Sequence, residues 1–391
     1  MSAGLRRPAA IAGLGLTEMG KIYDRTSEDF AADAVLRATR DAGLDLADLD
    51  GLLINPGLSG GVDPRLARRL GLRDLTLLSV FQAYGSSAAS MVGYAAMAID
   101  NGLATTVACV FADAPLLPGA GSASAYAGRR APVGFDGLTV AAGFRDVTTS
   151  YAAATQRHMQ RYGTTSEQLG AIAVAQRDRA VLNPLAQKRT PITLADHQAS
   201  RWIAEPLHLL DCCLVSNGAV AVIVTAADRA ADLAQPAVHI RGFAQSHPGY
   251  PESRDSTFGL VSGAAQSGPA ALKMAGVTVA DVDIAEIYDC YTFTVLLTLE
   301  DYGFCAKGEG GAFVTSGVLE PGGPLAINTG GGQLSSYYMW GMTPLSEAVI
   351  QARGAGGERQ AVRNELIVVS GNGGVLDHHS TLVLSPTDPR R

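Results

Sequence analysis

An α/β fold built from two similar halves is what this chain predicts, and three observations carry the prediction. Continuous apolar runs of strand length, such as TTVACVFA over residues 105–112, alternate with amphipathic or small-residue helical segments, the pattern of sheets covered on both faces. The order of these segments up to about residue 237 repeats from 238 onward. With 391 residues, 47% hydrophobic and 17% charged, the chain can bury a large layered core.

AAIAGLGL (9–16) reads as a first strand ending in a Gly13-x-Gly15-x-Thr17 turn. Two glycines alone do not make a dinucleotide fingerprint, because the third glycine and the later acidic residue are missing, so this is a structural turn. SEDFAADAVLRATRDA (27–42) is an amphipathic helix with Ser27 as N-cap, acids in its first turn, and Phe30, Ala34, Ala38 and Ala42 on one face. Gly43 ends it, and a strand follows at 52–55. A strand at 75–80 leads through FQAYGSS into a small-residue helix at 88–102, and the buried strand 105–112 completes a βαβ unit. The turn at Gly85 and Ser86 offers backbone N–H groups at a helix N-terminus, suited to an oxyanion or thioester carbonyl; close helix packing explains the small residues equally well. From about 113 to 210 the character changes to Gly/Ala/Ser/Pro loops and helices near 148–162 and 166–183, an excursion from the sheet of the kind that caps a substrate channel. Arg157, Arg161, Lys188 and Arg189 lie there as solvated charges that a nucleotide phosphate could also meet.

The strand 217–224 closes the first half and 228–235 is a hinge. The second half then reads strand 238–243, helix 264–275, strand 282–287, helix 292–302, strand 325–328, helix 343–353, and strands 365–370 and 380–384. Two stretches stand out. In IAEIYDCYTFTVLLTLEDYGF (284–304) a strand runs into the cluster Tyr288-Asp289-Cys290-Tyr291 before a helix, a junction where two rigid elements fix side chains at a sheet edge. In NTGGGQLSSYYMWGM (328–342) a triple-glycine bend precedes paired tyrosines.

A net charge of -7 without any Lys/Arg block argues against nucleic acid or an anionic membrane surface as partner. The five cysteines (109, 212, 213, 290, 305) form no C-x-x-C pair, so neither a disulfide framework nor a zinc site is indicated and a reducing, cytoplasmic location is expected. His158, His197 and His208 lack ligand spacing. The N-terminal apolar run is too short and glycine-broken for a secretory signal, and no apolar stretch reaches the ~20 residues of a spanning helix.

Together these residues resemble the thiolase superfamily, specifically its sterol-carrier-type, thiolase-like lipid-transfer branch. The resemblance covers essentially the whole chain: GLGLTEMGK with ADAVLRATRDAGLDLADLDGLLIN, EIYDCYTFTVLLTLEDYGFCAKGEGGAFV, GGPLAINTGGGQLSSYYMWGMTPLSEAV, and SGNGGVLDHHSTLVL. It implies a duplicated five-layer αβαβα fold with halves at 1–237 and 238–391 and a loop domain inserted at about 113–210. It also implies a homodimer and an acyl-CoA substrate, with CoA as part of that substrate and no separate cofactor or metal.

Three departures from the family pattern direct the functional expectation. The thiolase nucleophile, a cysteine on the turn before the small-residue helix, is Gly85 here, flanked by Ser86. The histidine expected before Asp-Cys is Tyr288, and the one expected six residues after the glycine pair is Tyr338. The chain thereby most resembles the subgroup of thiolase-like aldolases that shorten steroid side chains. Claisen cleavage needs a thiolate, whereas retro-aldol cleavage of a β-hydroxyacyl thioester needs a base, an enolate site and an acid. Tyr288 and Tyr338 are the expected acid and base, and N–H groups from Gly85 and Ser86 and from Gly373 and Gly374 the expected oxyanion or thioester donors. Asp289 and His379 are candidate supports, with His378 beside the latter. The competing readings are an acyltransferase using Ser86 or Cys290 and a non-catalytic acyl-CoA or lipid-binding subunit. The aldolase subgroup also implies a small OB-fold, zinc-ribbon partner.

Overall fold

In the computed structural model, residues 6–126, 133–134, 137–250, 253–320, 322–323 and 325–388 are described. Part of the expected 113–210 excursion, including 127–132, lies outside them. The strands are β1 (Ala9–Leu16), β2 (Gly51–Asn55), β3 (Leu77–Val80), β4 (Thr106–Asp113), β5 (Trp202–Ala204), β6 (Leu207–His208), β7 (Gly218–Ala226), β8 (Val238–Ser246), β9 (Ile284–Glu286), β10 (Ala326–Ile327), β11 (Ile367–Gly373) and β12 (His378–Ser385). All but the β5–β6 hairpin form one ten-stranded sheet in the order β10-β9-β11-β12-β8-β1-β7-β4-β2-β3. Counted within its own half of the chain, each set of five strands has the order 3-2-4-5-1 from its edge to the centre. The parallel and antiparallel pairings match too: β2 is parallel to β3 and β4 as β9 is to β10 and β11. The two sets meet where β1 pairs antiparallel with β8.

The helices Ser87–Asp100 and Met342–Ala352 touch strands of both sets and each other, so they form a central layer between the two half-sheets. Ser27–Asp41 covers the outer face of the first set and Ala264–Ala275 that of the second, completing five layers. The apolar runs follow from this. In β4, Val107, Cys109 and Phe111 join the large central core while Ala108, Val110 and Ala112 pack outward under Ser27–Asp41. Both faces are dry, so period-2 alternation disappears.

The Gly13–Gly15 region is not the turn expected. β1 continues through Leu16, and side chains at Gly13 and Gly15 would start 2.2 and 2.1 Å from the carbonyl oxygens of Ala38 and Ala34. These glycines let a helix lie directly on a strand. The N-cap of that helix is Thr26, which accepts from Asp29 N at 3.1 Å, rather than Ser27. The short helix Ala227–Ala230 overlaps the hinge at 228–235, and β11 extends through Gly373, placing Gly371 and Gly373 inside a strand and Gly374 in the turn after it. Between β4 and β7 the excursion carries the helices Val147–Tyr162, Ser166–Val181 and Leu194–Ala199. His158 is fully buried against Glu300 at 3.1 Å, and Asp211, held by the buried His197 at 2.9 Å, accepts from the Thr292 hydroxyl at 2.6 Å, so both contacts tie the excursion to the body.

Candidate active site

Tyr288 lies between the end of β9 and the helix Thr292–Tyr302, in a junction fixed from both sides. Ile287 N donates to Asn328 Oδ1 at 2.6 Å, and the Thr294 hydroxyl lies within donating distance of the carbonyl oxygens of Tyr291 (2.7 Å) and Tyr288 (3.1 Å), which share its single hydrogen. The Tyr288 ring is consequently 4% exposed. Tyr338 follows the glycine bend. Gly331 and Gly332 take φ of 90° and 58°, values that favour glycine, and a π-helical turn spans Gly332–Ser336.

Asp289 joins these two walls. Its carboxylate accepts from Gln333 N at 2.8 Å and Leu334 N at 3.1 Å, and lies 2.1 Å from where a side chain on Gly332 would begin. The backbone alternation turns Asp289 away from the Tyr288 ring, so it holds the second wall in place rather than reaching a phenol. Tyr338 N in turn donates to the Ser216 hydroxyl at 3.1 Å. The outcome is a pair of buried phenols that act electrostatically on each other, and burial drives both well above the usual phenol value.

Gly85 lies directly beneath this pair. A Cβ there would sit 2.2 Å from Tyr288 Cε2, 2.4 Å from its Cζ, and 2.2 Å from the carbonyl oxygen of Asn372. The tyrosine ring thus occupies the space a nucleophilic side chain at position 85 would need. The turn Tyr84–Ser86 and β11 are in close contact, since a side chain on Gly373 would start 2.1 Å from Ala83 O. Gly85, Ser86, Gly373 and Gly374, from opposite halves of the chain, are thereby brought to one place. Tyr84 carries the strain of this turn with φ of 52°.

Ser86 is fully buried and its hydroxyl donates to Ala83 O at 2.8 Å, so it is committed to the turn and not free to attack. Cys290 is buried, and its thiol is pushed up to about 12 by desolvation, the opposite of an activated thiolate. His379 faces away from the phenols. Its Nδ1 pairs with Ser267 Oγ at 2.7 Å and its Nε2 lies 3.4 Å from Ser370 Oγ, which itself accepts from Tyr288 N. It reaches Tyr288 through the backbone only, and so does not supply proton transfer to the ring. His378 is half-buried, with its Nδ1 2.8 Å from His247 Nδ1 and its ring stacked on Tyr84.

Two further tyrosines belong to this neighbourhood, both from the excursion. Tyr151 donates to Gly374 O at 2.9 Å and accepts from Asn372 Nδ2 at 2.7 Å, gripping the closing loop. Tyr126 acts electrostatically on both Tyr288 and Tyr338, and desolvation together with the Asp113 carboxylate raises its own phenol well above the usual value. A signal for Tyr126 exists in the sequence: it is the lone aromatic in the small-residue run GAGSASAYAG, where nothing else has a side chain able to reach a site.

The buried ionisable groups behind the site give a pH prediction. Burial raises Asp289 to about 7 and lowers His379 to about 3. For Asp289 the folded value exceeds the unfolded one, so its stabilisation is complete below the ordinary carboxylate range and is lost as pH rises to about 7. For His379 the folded value is the lower, so its contribution is present above about 6.5 and is lost as pH falls. The two slopes oppose each other between about pH 4 and 6.5. Asp289→Asn should lower Tm overall, because a donor then faces Leu334 N. It should also make Tm climb more steeply with pH across that window than in the wild type, as thermal scans from pH 4 to 8 would record.

The model of the family "Thiolase C-terminal domain-like" matches residues 242–386. A steroid side-chain-cleaving aldolase of Thermomonospora curvata is 38% identical over 93% of this chain and 95% of its own length. The 17-hydroxy-3-oxo-4-pregnene-20-carboxyl-CoA lyase of Mycobacterium tuberculosis is 37% identical over 93% and 96%. Among solved structures, an Ltp2-ChsH2(DUF35) aldolase superposes with a TM-score of 0.87 at 36% identity, covering 98% of this chain and 99% of that one.

Proposed function

The chain belongs to the thiolase-like superfamily, in its sterol-carrier-type branch, and from that premise we propose that it is a retro-aldolase acting on a β-hydroxyacyl-CoA with a steroid or similarly bulky ketone as the leaving part. One observation carries the reading: the ring of Tyr288 fills the space above Gly85, where a thiolase nucleophile would stand. A covalent acyl-enzyme has no atom to form on there, while a phenol pair is available for proton transfer.

The chemistry is written without a nucleophile. With one phenol of the Tyr288–Tyr338 pair ionised for the step, its oxygen takes the β-hydroxyl proton and becomes a neutral phenol, the O–H electron pair becomes the ketone π bond, and the Cα–Cβ pair moves into the thioester enolate. N–H groups of Gly85 and of Gly373 and Gly374 are the donors offered to the enolate oxygen; Ser86, expected as a donor, gives its N–H to Ala83 O at 3.2 Å within the turn instead. The α-carbon then takes a proton from the pair, so the cycle neither consumes nor releases one. Incubation with a β-hydroxyacyl-CoA bearing a tertiary carbinol should release ketone and short acyl-CoA in equal amounts, with the intact mass of the protein unchanged. Acylated protein, or no cleavage, would sink this reading.

The partners follow from surface and relatives. β3 is an edge strand whose Leu78 and Val80 are 42% and 43% exposed on one face, with exposed Met97 on the helix Ser87–Asp100. An unpaired apolar edge of this kind asks for cover, and a second copy pairing its own β3 supplies it. Val80→Lys should therefore halve the mass seen by light scattering on size exclusion. A small OB-fold, zinc-ribbon protein as a further partner is supported by the pairing named for the similar aldolase structure. Among the described residues no helix is long and apolar enough to cross a membrane, and the five free cysteines fit a reducing cytoplasm.

A further inference from the structure

We propose that Glu286 is a positioning residue that works as a neutral acid, its proton linked through the Thr329 hydroxyl to the Glu347 carboxylate, so that the strand leading to Tyr288 is held against the bend leading to Tyr338. The proposal rests on the aldolase reading above and deepens it.

Three elements meet at Thr329. Glu286 ends β9, two residues before Tyr288; Thr329 follows β10 and opens the glycine bend; Glu347 lies on the helix Met342–Ala352. Thr329 N donates to Glu286 Oε1 at 3.0 Å, and the Thr329 hydroxyl lies 2.7 Å from the same oxygen and 3.0 Å from Glu347 Oε1. Glu347 also lies against the bend itself, since a side chain on Gly330 would start 2.7 Å from its Oε2. Both glutamates are buried. A hydroxyl carries one hydrogen, so Thr329 can donate to one of the two carboxyl oxygens and has only a lone pair for the other. One glutamate therefore brings a proton of its own.

Glu347 has the surroundings of an anion. Arg359 donates to it through Nε at 2.9 Å and Nη2 at 3.1 Å, and Gln351 Nε2 donates at 3.0 Å. The other charged and titratable groups around Glu286 are engaged elsewhere. Arg179 Nη2 donates to Glu320 O at 3.4 Å, the Tyr337 hydroxyl pairs with Ser346 Oγ at 2.8 Å, and Asp289 accepts from Gln333 N and Leu334 N. The proton accordingly stays on Glu286, which donates to Thr329 Oγ while Thr329 donates to Glu347. Burial, and after it the Glu347 carboxylate, raises Glu286 to about 8, in line with this assignment.

The folded value lies above the unfolded one of about 4.3, so this stabilisation is complete below the ordinary carboxylate range and is lost as pH rises through about 8. Glutamine at 286 keeps a donor for Thr329 and cannot ionise. The Tm of Glu286→Gln should therefore fall less than that of the wild type between about pH 7.5 and 8.5, above the value of about 7 reached by Asp289. Parallel Tm curves would overturn the proposal. Glu286→Ala, which removes the bridge, should lower kcat for ketone release by about tenfold or more with KM within about twofold of wild type. Glu286→Gln should recover most of that loss at pH 7 and lose less activity than the wild type above about pH 8. A glutamine variant as slow as the alanine one, or an alanine variant with wild-type kcat, also refutes the brace. If Glu286→Ala does not fold, or the wild type releases no ketone and the aldolase reading itself fails, the comparison of Tm curves decides alone.

Discussion

Phenylalanine at position 288 or at position 338 is expected to lower kcat by roughly 10²–10⁴-fold, the usual cost of removing a general acid or base, with the fold intact. The two variants keep the ring and remove one oxygen. In Tyr288→Phe the ring still covers Gly85 and the Asn372 carbonyl, so the packing there is preserved. In Tyr338→Phe the backbone bond from Tyr338 N to Ser216 and the anchoring of the bend by Asp289 are untouched. The two buried phenols act on each other electrostatically, so the effects should be strongly non-additive. The double variant should fall little below the worse single one, as for groups that act as a unit. Release of ketone and acyl-CoA, measured at saturating substrate with circular dichroism as a control for fold, provides the check. Retention of more than about a tenth of the activity in both single variants would leave the phenols as core aromatics.

Much of the fold was legible because layered α/β proteins write it in local pattern. The dry strands at 105–112 and 217–224, the amphipathic helix from 27 and the repeated order of elements all came from period and composition. What escaped was set by contacts distant in sequence. Gly13 and Gly15 looked like a turn because nothing local says that a helix twenty residues later will lie on them. The site divides the same way. Tyr288 and Tyr338 stood out through their positions in recognisable stretches. The role of Asp289, by contrast, depends on Gln333 and Leu334 more than 40 residues away. His379 was drawn in by proximity in the closing loop. Strand alternation, applied to it as it was to Asp289, turns it toward Ser267 and the core.

The second large effect concerns Gly85, because it asks whether the thiolase reaction can be restored by returning the nucleophile. It should not be. A cysteine at 85 would place its Cβ 2.2 Å from both the Tyr288 ring and the Asn372 carbonyl oxygen, so ring and β11 backbone both have to move. Over-packing a rigid core in this way costs ~1–3 kcal/mol and often more. Gly85→Cys is therefore expected to lower Tm, abolish ketone release by displacing Tyr288, and form no acyl-enzyme visible by mass spectrometry. Removing the ring as well, in Gly85→Cys with Tyr288→Ala, relieves one of the two clashes and should recover part of the Tm, but the Asn372 carbonyl belongs to β11 and stays. Partial recovery of stability without acyl transfer is thus the expected result for the double variant. A stable, acylated Gly85→Cys single variant would mean that the ring moves freely, and that the loss of the cysteine, rather than the gain of the tyrosine, separates this chemistry from a thiolase. The geometry favours the opposite order of dependence: the tyrosine and the glycine require each other, since a phenol at 288 fits only above a residue without a side chain.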